Sequence, residues 1–191
     1  MTTETTTDAY QVPVSSYITQ RKEAYLDDII NRFPKVVQWL LTIYHKEDMD
    51  FFENTTNQNR KQVKELVYPT KNRDTPYNCK RAVYGHHSHF YDTAITESIQ
   101  KWNSFRIWYI KKKKAGEETG KRFPDIESYA PAFNSKMFSL DLEDEWLTLH
   151  PKRGKENIHI PIKVPNKKRY KNLEEEIDSV RLKRNKNDKY I

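Results

Sequence analysis

The chain has 191 residues, of which 36% are apolar and 32% charged, and it carries a formal net charge of +7. That size fits one domain or two small ones, and no run approaches the roughly 20 apolar residues that a membrane span needs. The start, MTTETTTDAY, lacks the basic and apolar regions of a signal peptide, and Cys79 is the only cysteine, which excludes an intramolecular disulfide and a multi-cysteine zinc ribbon. A cytoplasmic, reduced setting is expected.

Residues 1–9 are polar and Thr-rich and are expected to form a disordered leader. Tyr10 to Tyr17 alternates in part, through Val12 and Val14, and predicts a short strand. From about Gln20 the period becomes helical. Leu26, Ile29, Ile30 and Phe33 share a face that Val36, Val37, Leu40, Leu41 and Tyr44 continue beyond Pro34. One kinked helix and two helices meeting at Pro34 both fit this pattern. His45–Asn59 reads as a polar loop, Gln58–Val67 as a shorter helix closed by Pro69, and Tyr68–Tyr84 as a connecting loop.

A long helix is predicted from about Asp92 to Lys113, capped by Asp92 or Thr93. At 100° per residue Ile95, Ile99, Trp102, Phe105, Tyr109 and Ile110 fall on one side, and Lys101, Ser104, Trp108, Lys111 and Lys112 on the other. Trp108 is the odd residue, a large ring on the polar side. Two roles fit it: cover by a second element, or stacking on a nucleobase. Cations favour a helix C-terminus, and Gly116 ends this helix. That accounts for one or two lysines, not for Lys111, Lys112, Lys113 and Lys114 followed by Lys121 and Arg122.

After Pro131 the period is two. Phe138–Leu142, Trp146–Leu149 and Ile158–Val164 are predicted strands, the first two joined by the acidic turn Glu143-Asp144-Glu145. Pro161 inside the third predicts an edge or bulge position. Asn172 with Glu175 reads as a capping box opening a final helix marked by Leu173, Ile177 and Val180. The expected fold class is α+β: an N-terminal strand, a helical insertion of three to four helices, an antiparallel β-barrel-like sheet and a C-terminal helix. The expected division is a leader at 1–9, a helical lobe at 20–130, a β part made of 10–17 plus 132–170, and a helix with tail at 171–191.

Charge along the chain is uneven. Residues 1–56 carry 5 basic and 9 acidic side chains, residues 101–122 carry 8 basic and 2 acidic, and residues 151–171 carry 8 basic and 1 acidic. Blocks of one sign focus field on polyanions. Cations beside flat rings are what a sequence-tolerant nucleic-acid surface requires, since the cations neutralise phosphates and the rings stack on bases. The candidate contacts are Lys101, Arg106, Trp108, Lys111, Lys112, Lys113, Lys114, Lys121 and Arg122 in the first block, and Arg153, Lys155, Lys163, Lys167, Lys168 and Arg169 in the second. The plain alternatives are a solvated surface and edge-strand protection.

Other constellations carry less. Glu143, Asp144 and Glu145 are consecutive, so strand geometry turns them apart. His86, His87 and His89 follow Cys79 with no second ligand pair, and adjacent histidines rarely converge on one ion, so no metal is assigned. With 4 glycines and no phosphate-binding loop motif, no cofactor is expected. No residues assemble a nucleophile with a base, and an enzyme is not expected.

The order of elements resembles the N-terminal half of the TnpB (OrfB) proteins of insertion sequences, RNA-guided nucleases related to type V CRISPR effectors. The matching stretches are the aromatic-basic helix KWNSFRIWYIKKKK, a Gly turn into FPDIESY, the strand FSLDL, and a hairpin ending in IHIPI. The resemblance implies that Tyr10–Ser16 is the first strand of a wedge-like barrel and that Arg21–Val67 belongs to a recognition lobe. It also implies that Lys101, Arg106, Lys111 to Lys114, Lys121 and Arg122 grip a guide RNA and the duplex beside the target. The family's nuclease half, with its separated carboxylates and four-cysteine ribbon, has no counterpart, so a separate or downstream nuclease domain is an expected partner. A rival reading is a protein-interaction or virus-like accessory module whose basic blocks dock an acidic protein.

Overall fold

A computed structural model describes residues 11–15, 17–79, 88–120, 123–126, 130–150, 156–164, 177–184 and 189–191. Among them are three helices, α1 (Gln20–Lys46), α2 (Thr56–Val67) and α3 (Ser88–Lys114), and five strands, β1 (Ala132–Asn134), β2 (Phe138–Asp141), β3 (Trp146–Leu149), β4 (Ile158–Pro161) and β5 (Ser179–Arg181). The fold is α+β. Two small antiparallel sheets, β1–β5 and β2–β3–β4, take the place of the expected barrel, and no closed barrel forms among the described residues.

The apolar stripe of α1 is continuous through Pro34, and the chain forms one 27-residue helix there rather than two. Proline costs the helix one backbone bond. Phe33, Val36 and Val37, buried on both sides of it, keep the two turns in register against the core. The helix ends in a Schellman turn: Asp48 takes the left-handed conformation (φ 45), its N–H bonds His45 O, and the Met49 N–H bonds Tyr44 O at 2.9 Å. Met49 is thereby buried beside Tyr44. A capping box opens α2, with Thr55 and Gln58 bonding each other's backbone N–H.

α3 begins at Ser88, a turn before the expected Asp92 or Thr93 cap. It packs along α1, with both chains running the same way. Phe33 meets Phe90 edge-on at 5.1 Å, and a dozen residues later Tyr44 meets Trp102 at 6.2 Å. Trp102, 2% exposed, donates its indole N–H to Met49 O at 2.8 Å, and the Tyr44 hydroxyl pairs with Ser98 Oγ at 2.8 Å. Both polar tips are satisfied inside the core, as buried aromatic side chains require.

The three-stranded sheet has Phe138 opposite Leu149 and Leu147 opposite Ile160, so these residues face the core. In the β2–β3 turn Glu145 adopts φ 62. Its carboxylate accepts the Val164 N–H at 3.0 Å and its carbonyl the Ile162 N–H at 2.9 Å, which holds the strained residue in place. The acidic turn is therefore a hairpin device, as its spacing suggests. Pro161 is not at a bare edge. Ser15 N donates to Pro161 O and Lys163 N to Pro13 O, both at 2.8 Å, around a bridge between Val14 and Ile162. Proline has no N–H to return to Ser15, so the N-terminal segment pairs as a bridge rather than a full strand.

The expected C-terminal helix is corrected at its centre. Ser179–Arg181 is the strand β5, paired with β1 in the register Ala132↔Arg181 and Asn134↔Ser179. The capping-box residues Asn172 and Glu175 lie outside the described residues. What overrides the helical spacing of Ile177 and Val180 is pairing: Val180 packs against the core from β5, and Arg181 forms an ion pair with the buried Glu97 of α3. The end of the chain closes on the start of α1, where Tyr190 and Arg184 both bond Asp27 and Tyr190 O accepts the Val14 N–H at 3.1 Å. The leader 1–9 also lies outside the described residues. Buried residues from helices and sheets form one continuous apolar cluster.

Candidate nucleic-acid interface

The end of α3 is built by what stops beside it. α1 finishes at Lys46, level with Trp102, and the turn 48–50 then reaches across to α3. Arg106 is held there, with one guanidinium nitrogen 3.2 Å from Asp48 and another 3.8 Å from Asp50. Beyond Arg106 the helix continues to Lys114, which at 1.5 Å per residue is about 12 Å. The returning chain does not follow it closely. Phe123 sits against His45, and Ile126 and Pro124 bond the Gln38 side chain, so the return lies along α1.

The last turns of α3 therefore expose large apolar side chains: Ile107 at 46%, Ile110 at 39% and Trp108 at 38%. Trp108 packs one side on Phe105, with ring centroids 5.7 Å apart. Helical geometry sets Lys101, Ser104, Trp108, Lys111 and Lys112 along one face, which is the face the sequence predicts. Lys101, Ser104 and Lys111 are exposed there. Lys112 pairs with Glu117, while Lys101, Lys111 and Lys114 have no ion-pair partner among the described residues. Lys113 lies over the Tyr109 ring at 5.4 Å, round the helix from Trp108. The helix ends in a second Schellman turn, with Gly116 at φ 70 and Glu117 N bonded to Lys112 O at 3.0 Å.

The structure thus gathers Lys101, Trp108, Lys111 and Lys112 and separates Arg106. That residue points to the far side of the helix and is occupied by two carboxylates. Lys163 stands apart, exposed just past β4. Lys121, Arg122, Arg153, Lys155, Lys167, Lys168 and Arg169 lie outside the described residues.

Two features escape a charge-based reading. Trp146 on β3 is 40% exposed, with Lys22 Nζ 5.6 Å from its ring centroid. The alternation that turns Leu147 and Leu149 inward already turns Trp146 outward, so the signal was in the sequence. The second is a partly buried polar cluster at the edge of the core. Asp92 accepts from Lys64 at 2.8 Å and from the Tyr68 hydroxyl at 3.3 Å, and His89 lies 3.7 Å away. Burial, reinforced by the charge of Asp92, pushes the thiol of Cys79 up to about 12, so it stays protonated and is a poor nucleophile. Burial likewise raises Tyr68 and Tyr44 above the usual phenol range. Of the histidines considered with Cys79, His86 and His87 lie outside the described residues. Among the described residues no three His, Cys, Asp or Glu side chains are placed to hold a metal ion, and no helix is long and apolar enough to cross a membrane.

Residues 6–166 match the model of the Aq_aa04 family, a stretch that takes in all three helices and β1 to β4. No curated protein matches the chain.

Proposed function

We propose that this chain, which belongs to the Aq_aa04 family, binds nucleic acid through the projecting end of α3 and grips it without cutting it. One observation carries the reading: Trp108 is exposed on a helix end with Lys101, Lys111 and Lys112 on its own face. A ring in that setting offers one flank to a base, and the lysines neutralise the phosphates that accompany it. Burial would have served stability better, because an indole left 38% exposed forgoes part of its transfer free energy. The TnpB-like order of elements supports the same role, holding an RNA–DNA duplex by its backbone while base pairing reads sequence. In that case a nuclease acts from a separate or downstream domain.

The test is fluorescence anisotropy of labelled single-stranded RNA, single-stranded DNA and duplex, titrated with the full chain across a salt series. Affinity is expected to fall steeply as salt rises from about 50 to 200 mM. Lys111→Ala with Lys114→Ala should lower the slope of log affinity against log salt by about 1.4 on single strands. Absence of binding to all three polymers at low salt overturns the proposal.

A second reading has its own observation. Ile107 and Ile110 are exposed round the helix from Trp108, and aliphatic side chains do nothing for a phosphate backbone. They favour a protein partner that buries the strip against an apolar groove with an acidic rim. Under that reading Ile107→Ser has no effect on polynucleotide binding.

A further inference from the structure

The outer face of the β2–β3–β4 sheet carries a grouping that the end of α3 does not explain. The strand registers set Asp141, Trp146 and Pro161 side by side in one row, and Ser139, Thr148 and His159 in the next. All six belong to the face opposite the core-facing Leu147, Leu149 and Ile160. Trp146 is 40% exposed although two strands flank it, so its ring stands up from a flat surface. The ring of His159 is exposed in the neighbouring row, and Thr148 Oγ1, 3.0 Å from its Nδ1, fixes its orientation. Tyr17, 88% exposed, lies just past the point where Ser15 pairs with Pro161.

Cations frame these rings. Lys22 of α1 approaches Trp146 to 5.6 Å. Lys163 follows Pro161 by two residues on the same side of the chain, about 7 Å further along by strand rise, and is exposed. Sheet stability needs none of this. An outward-facing pair contributes as well with threonine or valine as with an exposed indole.

We propose that this sheet face is a second site, a platform for unpaired nucleotide bases. Trp146 supplies the first stacking surface on the ring flank that Lys22 does not cover, His159 an adjoining one, and Lys163 meets the phosphates. The proposal rests on the nucleic-acid reading of α3 and narrows it to single strands, because a base can lie flat on a protein ring only when it has left its own helix. Asp141, beside Trp146 on the β2 side, repels phosphate. The strand's backbone therefore runs on the β4 side, where Lys163 stands. The end of α3, a convex rod, grips backbone in either form, and the flat sheet discriminates.

The experiment compares a 12-nucleotide oligo-dT with a duplex of the same length, using the full chain and following anisotropy together with tryptophan quenching. Trp146→Ala should weaken oligo-dT binding roughly tenfold and leave duplex affinity unchanged. Trp146→Phe should lose less, and Asp141→Asn should tighten oligo-dT alone. Lys111→Ala with Lys114→Ala should weaken both ligands together. Thermal melts of each variant show that it is folded. If Trp146→Ala and Asp141→Asn leave the ratio of the two affinities as it is in the native chain, the platform is overturned while the α3 reading stands. If the native chain binds neither ligand at low salt, both fall.

Discussion

The two ends of α3 obey the same sequence pattern and meet opposite fates. From Phe90 to Trp102 the apolar stripe is sealed, with Ala94, Ile95, Ile99 and Trp102 all buried against α1 and the sheets. From Phe105 onward the stripe continues at the same spacing, yet Ile110 is exposed and Phe105 and Tyr109 are only half-buried. The difference lies outside the helix. α1 ends at Lys46, the Asp48 turn reaches across to clamp Arg106, and nothing described stands beside the two turns that follow. Periodicity states which face of a helix is apolar; the length of its neighbour decides where that face is covered.

The sharpest way to break this comparison is to truncate one tryptophan at each end. Trp102→Ala removes a packed indole and orphans Met49 O, and is expected to cost about 3–5 kcal/mol in urea unfolding. Trp108→Ala is expected to cost less than about 1 kcal/mol, its effect appearing in polynucleotide binding. Equal losses would mean that the projecting turns are packed in solution and that the proposed interface is core.

A second contrast sets ion pairs at the two ends against each other. Glu97, in the sealed half, is buried and pairs with Arg181 of β5. Arg181→Ala removes one cation from that carboxylate and should cost about 2 kcal/mol, less than a fully enclosed pair because Arg181 is itself partly exposed. Lys112→Ala removes a surface pair with Glu117 and should cost well under about 1 kcal/mol. Chemical denaturation of both variants at one salt concentration checks the ranking, and a reversal would show that β5 contributes little to holding α3.

Much of this was readable in the sequence, and the misses share a cause. The stripes of α1 and α3, the three strands after Pro131, the turn at Glu143–Glu145 and the helix stop at Gly116 are local signals, and they appear as read. The place of Trp108 opposite Ile95 and Ile99 was legible, but whether a second element covers it was not, and the structure leaves it 38% exposed. What went unread depends on distant segments. Ile177 and Val180 carry helical spacing, yet Ser179 to Arg181 pair with β1 nearly fifty residues earlier because Glu97 and the β1 edge offer more than an isolated turn of helix does. Arg106 looks like a phosphate contact until Asp48 and Asp50 arrive from another loop. Trp146 was placed outward by alternation, but Lys22, more than a hundred residues away, had to be placed before the ring had company.

A last expected effect concerns pH and separates the two ends once more. Cys79 is buried, and desolvation with the charge of Asp92 moves its thiol from 9.0 to about 12. The folded state therefore holds this proton more tightly than the unfolded chain does. Such a group contributes stability that is complete below about pH 9 and is lost progressively as pH rises towards 12. Urea unfolding between pH 8 and pH 11 should show stability falling through this window. Cys79→Ala should make the fall shallower without abolishing it, since burial also holds Tyr44 and Tyr68 protonated. An unchanged slope in Cys79→Ala would mean that the thiol is solvated and that the seal around the start of α3 is looser than its packing indicates. Trp108→Ala, at the open end, should leave the slope as it is in the native chain, because no buried proton depends on that ring.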